Sequence, residues 1–277
     1  MKHSNDLRIR TVLALALPAM AVATDAAAVE AVDRFYISAG AYKANNDVTL
    51  RRDSATGTRQ GTHVDLQRDF GLDMDKTESY LEIGGTIGRR HRLKAFRYGH
   101  DASATRVLER DLVIGDDIYR ETAAATGDID INLLGASYSW LLHHGERSAF
   151  GIGLGAIRYK VSANLAAALD DDSEFEAVAS SISESHWAPL LHLEYTRSIA
   201  DHWRVGIDAS YVRKSGGKVS GDAVDLGVKA EFFPWEHFGF ALRYNYNDID
   251  LEFEHSAHRD EINIKNRGPQ LVATYRF

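Results

Sequence analysis

The chain has 277 residues, no cysteine and a formal net charge of −8, which excludes disulfide frameworks, thiolate metal sites and a lipoprotein cysteine, and leaves no extended basic face for nucleic acid. It holds 12 Tyr, 11 Phe, 4 Trp and 22 Gly but only 4 Pro, a mixture that suits many strands with half their residues facing water. The mean hydropathy of −0.30, with no long apolar run after the first two dozen residues, excludes a transmembrane helix in the remainder.

In chain order, Lys2, Arg8 and Arg10 form a positive region ahead of an apolar run from Val12 to Val22, and Ala21-Val22-Ala23 offers a small-x-small cleavage site. The run is too short to span a bilayer as a mature helix, so residues 1–23 read as a signal peptide and 24–277 as one domain. A second candidate cut follows Ala28.

Ten segments with strand character follow, approximately Arg34 to Lys43, Thr77 to Gly88, Arg92 to Thr105, Asp128 to Leu142, Ser148 to Leu165, Trp187 to Ile199, His202 to Ser215, Asp222 to Pro234, Phe238 to Glu254 and Ile264 to Phe277. The connections at Arg89 to His91, His143 to Arg147, Ala200-Asp201 and Trp235 to His237 are tight, whereas Ala44 to Lys76, Arg106 to Gly127 and Ala166 to His186 are long and polar. Short turns on one side and long loops on the other predict an all-β, antiparallel up-and-down transmembrane β-barrel of about ten strands. An even count puts both termini on the turn side. Around Leu133-Leu134 and Ile157-Arg158 the alternation slips, which reads as bulges or as strands reaching beyond the membrane. Eight strands remain open if two short segments are extracellular ribbons.

Large aromatics fall at both ends of the segments. Phe35 and Tyr42, Phe150 and Tyr159, Trp187 and Tyr195, Trp203 and Tyr211, and Phe238 and Tyr246 bracket five of them. A spacing of about eight residues at about 3.4 Å, tilted by about 40°, covers roughly 20 Å, close to the apolar band of a transmembrane barrel. Two aromatic girdles are therefore expected, with Trp140, Phe232, Tyr275 and Phe277 on the turn side and Tyr80 and Tyr98 on the loop side. A soluble sandwich has no reason to place aromatics so.

Alternation also assigns a lumen face carrying Glu82, Arg97, His192, Glu194, Arg204, Asp208, Asp225, Lys229, Glu231 and Arg243. About ten strands enclose little more than their own side chains, so these charges are expected to pair across the interior. That favours a plugged lumen.

The last residues, Gly268-Pro269 followed by Gln270 to Phe277, alternate apolar Leu271, Ala273, Tyr275 and Phe277 with Gln270, Val272, Thr274 and Arg276. Taken with the export segment, this resembles the closing strand of a Gram-negative outer-membrane barrel, and the whole pattern looks most like the small barrels grouped with the OmpA transmembrane domain and the OmpW and opacity-type proteins. The resemblance implies that Tyr275 and Phe277 are read by the barrel-assembly machinery, that outer-membrane lipid and lipopolysaccharide are the surroundings, and that the protein is a monomer. With the closing strand ending the chain, no peptidoglycan anchor is expected. Val64-Asp65-Leu66, Asp69 and Gly71-Leu72-Asp73 also resemble a V-D-L-x-x-D-x-G-L-D segment near the first hairpin of a group of such proteins.

The loops hold few motifs. That first-loop stretch, and Glu109 to Asp117 in the second loop, are half-apolar and are expected to pack over the barrel mouth, the second pairing with the first. The acidic run Asp170 to Asp172 with Glu174 and Glu176 lacks the spacing of a calcium loop and reads as solvated. His255, His258, Asp260 and Glu261 read as ordinary polar loop residues, and no metal site or cofactor is expected. His100-Asp101 and the loop carboxylates Asp73, Asp75, Asp116 and Asp117 match no barrel hydrolase motif, and neighbours in a strand point to opposite faces. The expected role is structural or surface-interactive and not enzymatic, with a narrow channel and a rim hydrolase as the alternatives.

Overall fold

A sheet with one apolar face and two open edges invites wrong pairing, and closing it into a barrel removes both edges. In a computed structural model the chain does this; residues 29–54, 60–114, 117–119, 121, 124–168, 177–216, 219–254 and 258–277 are described. The signal-peptide segment, the acidic run at 170–176, Asp116 and His255 lie outside them.

The strands are β1 (Phe35–Lys43), β2 (Asn45–Asp53), β3 (Val64–Asp65), β4 (Thr77–Ile87), β5 (His91–Val107), β6 (Leu112–Ile114), β7 (Asp117–Tyr119), β8 (Ala124–His144), β9 (Ser148–Ala168), β10 (Ala177–Ala200), β11 (Trp203–Lys214), β12 (Val219–Phe232), β13 (Phe238–Glu254) and β14 (Arg259–Arg276), with one short helix, α1 (Leu66–Phe70). Ten of them, β1, β4, β5 and β8 to β14, run antiparallel, each beside the next, and β14 returns to β1 with Ala273 opposite Ala39. The barrel is closed.

β2 prolongs β1 along the same neighbour. Tyr42 faces Gln270 and Asn45 faces Arg267, so the register runs straight through while the ladder lapses between them. Pro269 sits in that gap and has no N–H to donate. Gly268-Pro269 is therefore not a turn before the closing strand, which begins at Arg259. A Cβ at Gly268 would collide with the Lys43 carbonyl oxygen, so glycine is needed for the approach.

Strands exceed their expected length at the loop end. β10 starts at Ala177 and not at Trp187, turning half of the expected loop into strand. No register shift occurs at Leu133-Leu134 or Ile157-Arg158; the irregularities lie at Leu141/His143 and Ser198/Ala200, near the tight turns.

What slips at those positions is polarity, not geometry. Below the crossover β9 points Phe150, Ile152 and Leu154 outward over small Gly151, Gly153 and Gly155; above it Arg158, Lys160 and Asn164 point outward and Ile157, Tyr159, Val161 and Leu165 are inside. β8 does the same, exposing Leu134, Tyr138 and Trp140 below while burying Ile129 and Ile131 above. The same face thus changes solvent halfway up: lipid-like surroundings favour apolar outside, and water favours apolar inside.

The upper half consequently has a core of its own. Loop residues Leu66, Phe70, Leu72, Met74, Leu108, Leu112, Ile114 and Tyr119 drop into it and pack against Ile129, Val161, Ile182, Phe253 and Ile262. α1 is held by Asp65, which accepts from the Arg68 amide, and ends at Gly71 with φ 69°.

Candidate functional site in the barrel interior

The interior is built in three levels. At the turn end, Arg204, 2% exposed, reaches Asp33 (2.6 Å) and Glu231 (2.7 Å), and Lys229 also meets Glu231 at 3.1 Å. Asp33 belongs to a segment ahead of β1 that enters the barrel mouth. Thr196 and Ser198 donate to the carbonyls of Ala31 and Val29 at 2.8 and 2.6 Å, and the Val29 amide donates to the Asp201 carbonyl at 2.9 Å. Arg204 and Arg276 lie over the Phe233 ring at 5.0 and 4.4 Å. The mouth is shut.

At mid-height two charge groups cross the lumen. Lys94 donates to Glu194 at 3.1 Å and lies 2.8 Å from His192 Nε2, whose Nδ1 is 2.9 Å from Ser210 Oγ; Arg92 stands 3.7 Å from Glu194. Opposite, Arg243 grips Asp208 with two bonds of 2.7 and 2.9 Å and lies 3.6 Å from Glu82, which accepts from Tyr36 (2.7 Å) and Tyr80 (2.5 Å). A buried charge costs several kcal/mol unless paired, and here the cations are threaded among carboxylates and phenols.

At the crossover a neutral network takes over. Asn266 donates to Asn46 (2.5 Å) and Tyr98 (2.9 Å), Tyr42 donates to Asn266, and Asn46 donates to the Met74 carbonyl at 3.0 Å, tying barrel to plug. Between this network and the charge groups lies a cavity of about 110 Å³ with a polar floor, including Lys94, Asp208 and Arg243, and an apolar roof, including Ile131, Leu133, Leu190 and Ile249.

Of the residues expected inside, Glu82, His192, Glu194, Arg204, Asp208, Asp225, Lys229, Glu231 and Arg243 face the lumen. Arg97 does not: it is exposed on the same side as Leu93, beside outward Leu81 and Leu134 at the upper edge of the apolar band, with Asn132 Oδ1 3.4 Å away. Of the expected girdles, Phe35, Trp140, Phe150, Trp187, Tyr195, Trp203, Tyr211, Phe232, Phe238, Tyr246, Tyr275 and Phe277 lie on the outer face. Tyr42, Tyr80, Tyr98 and Tyr159 point inward instead, where three hydroxyls find partners in Asn266, Glu82 and Asn46. Sequence reasoning missed Asp33, Tyr36, Arg92 and Lys94. Outward Leu93 and Ala95 carried the signal for the last two, since their neighbours must face in.

The loop candidates are scattered. His100 is buried in the wall, 3.0 Å from Glu78, while Asp101 faces outward and Asp75 accepts from Asn45 at 2.8 Å. The two half-apolar loops meet, the Thr62 amide donating to the Val113 carbonyl at 2.8 Å. Asp260, 1% exposed, holds Arg52 at 2.6 and 2.8 Å. In the plug, burial raises the Asp69 carboxyl, but hydrogen bonds from Arg110, Arg68 and the Asp65 amide outweigh it and leave the group below its ordinary value.

The crystal structure of the outer-membrane protease OmpT from Escherichia coli is similar, with a TM-score of 0.56 at 10% identity, covering 90% of this chain and 98% of that one. The chain has the fold of a Gram-negative outer-membrane β-barrel. At lower similarity, the translocator domain of the autotransporter NalP from Neisseria meningitidis gives a TM-score of 0.43 at 12% identity, covering 98% of this chain and 95% of that one. The attachment invasion locus protein Ail of Yersinia pestis gives 0.27 at 12% identity, covering 86% and 99%. No protein-family model and no curated protein matches the sequence. As a barrel of this type, it places its lipid-facing band between the tight-turn girdle and the level of Trp187, Tyr211 and Tyr246, with the apolar plug above that band.

Proposed function

We infer that the protein is a monomeric, integral outer-membrane barrel, exported by residues 1–23 and folded by the barrel-assembly machinery, whose role is structural or surface-interactive and not enzymatic. Its tight turns face the periplasm and its loops face lipopolysaccharide and whatever approaches the cell. One observation carries this reading: the lumen is obstructed at both ends, by Arg204 with Asp33 and Glu231 below and by Leu66, Phe70 and Met74 above. An ion would have to displace paired charges and then an apolar core.

The test is single-channel conductance of the refolded protein in a planar bilayer, after a cold-SDS gel has shown a heat-modifiable barrel. Electrical silence is expected. Steady, ion-selective openings that change when Arg243 or Glu231 is neutralised would establish the narrow channel instead. The rim-hydrolase alternative lacks support from geometry, since buried His100 pairs with Glu78 and not with the exposed carboxylates of the outer loops. Unchanged lipid A mass and peptide integrity in cells expressing the protein or His100→Ala are expected.

A further inference from the structure

The cavity at the crossover has features that side-chain packing alone does not require. It spans the barrel, its lower wall is charged and its upper wall apolar, and its volume of about 110 Å³ leaves room for roughly eight waters or one small organic molecule. A purely structural interior would fill such a space with side chains, as the levels above and below do.

The charges on its floor are not equally satisfied. Arg243 is held by Asp208, and Lys94 by Glu194. Asp225, which also lines the cavity, accepts a hydrogen bond from the Asn247 amide but forms no ion pair among the described residues. Its cross-strand neighbours are Ser210 and Asn247, both neutral. On the same wall Asn245 Oδ1 is a buried acceptor with no hydrogen-bond partner. The floor therefore offers a carboxylate and an amide oxygen, beside the unpartnered Arg243 Nε, while the roof is mostly aliphatic and aromatic carbon broken by the amides and hydroxyls of Asn46, Asn266, Tyr42 and Tyr98.

We propose that this cavity is a binding site for a small amphipathic amine, with its ammonium group on Asp225 and its apolar body under Leu133 and Ile249. An ammonium supplies a donor to Asn245 Oδ1 and a positive charge to a carboxylate whose hydrogen-bond partner is neutral. The apolar body replaces water against the roof. Arg204 with Asp33 and Glu231 closes the turn end, so a ligand would enter from the loop side by displacing the plug, whose Met74 carbonyl meets Asn46 on the cavity wall. This site does not depend on whether the lumen conducts.

The experiment uses the full-length protein folded in detergent micelles, with phenethylamine and its neutral counterpart 2-phenylethanol as probes. Saturation-transfer NMR and the shift of the unfolding midpoint are the readouts. Saturable binding of the amine is expected, about tenfold or more tighter than the alcohol, as befits a charge-assisted contact. Asp225→Asn should erase that preference, and Ala223→Leu, which fills the cavity from β12, should abolish binding of both probes with heat-modifiability retained. Absence of saturable binding, or a preference that survives Asp225→Asn, would overturn the proposal. Should Asp225→Asn fail to fold, Ala223→Leu alone decides, because micelle partitioning would be unaffected by it.

Discussion

Arg204 grips Asp33 with two hydrogen bonds, Nη1 to Oδ1 at 3.0 Å and Nη2 to Oδ2 at 2.6 Å, and so ties the chain ahead of the first strand to the wall of the barrel. Both side chains are nearly inaccessible, and Glu231 completes the group. Arg204→Met should cost about 3–5 kcal/mol, since it leaves buried Asp33 with only the Arg276 contact at 3.5 Å and Glu231 with only Lys229 at 3.1 Å. A lowered urea midpoint for unfolding in lipid vesicles checks this. Asp33→Asn, which leaves Arg204 with Glu231, should cost less but free residues 29–33 for proteolysis.

The reversal of polarity along the strands makes a positional prediction. Leu242, 60% exposed on the outer face, lies within the apolar band, whereas exposed Ser103 lies above it and faces Asp128 on the next strand. Leu242→Arg should destabilise by about 2–4 kcal/mol in a bilayer. Ser103→Arg should stay within about 0.5 kcal/mol, as at an ordinary hydrated surface. Equal effects at the two positions would place the crossover elsewhere.

Gly127 of β8 faces the plug, and a Cβ there would come within 3.1 Å of both the Phe70 and Leu72 side chains. Gly127→Leu should therefore lift the first loop, at a cost of about 1–3 kcal/mol. Faster hydrogen exchange confined to residues 64–72, with the lower barrel unchanged, is the expected signature.

Acid should loosen the same loop. The Asp69 carboxylate sits below its ordinary value in the folded protein, because bonds from Arg110 (2.7 Å), Arg68 (3.1 Å) and the Asp65 amide (2.9 Å) prevail over burial. A depressed carboxyl stabilises fully above its unfolded value, near pH 4, and its contribution fades as pH falls through the lower folded value. Exchange rates of the loop, corrected for intrinsic chemistry, should thus be flat from pH 7 to 5 and rise only in stronger acid. Asp69→Asn should remove that acid limb.

The ten strands were legible because period-2 alternation is a local property, written into runs such as Phe238, Phe240, Leu242, Tyr244. The plug was legible as half-apolar loops. Alternation misled where the surroundings change along a strand. Leu133 and Ile157 looked like slips because a strand crossing from lipid to water keeps its geometry and exchanges the meaning of its two faces. Tyr42, Tyr98 and Tyr159 sit near that level, where ring and hydroxyl suit either side, and for Tyr42 and Tyr98 the partners Asn46 and Asn266, distant in sequence from Tyr98, decide the direction. Asp33 was invisible for another reason: a segment with no periodicity announces no destination.

The uneven strand lengths have a consequence for what can touch this molecule. β9 runs eleven residues past Ile157 and β10 begins ten before Trp187, whereas β11 stops three after Tyr211. At the usual rise and tilt, the β9–β10 wall stands about 25–30 Å above the aromatic level and β13, which runs eight residues past Tyr246, about 20 Å, whereas β11 stops under about 10 Å. Among these strands the rim is high at β9 and β10 and notched at β11. A broad surface laid on this rim would rest on the β9–β10 lip, while an extended chain entering the notch at β11 would pass close to Tyr211.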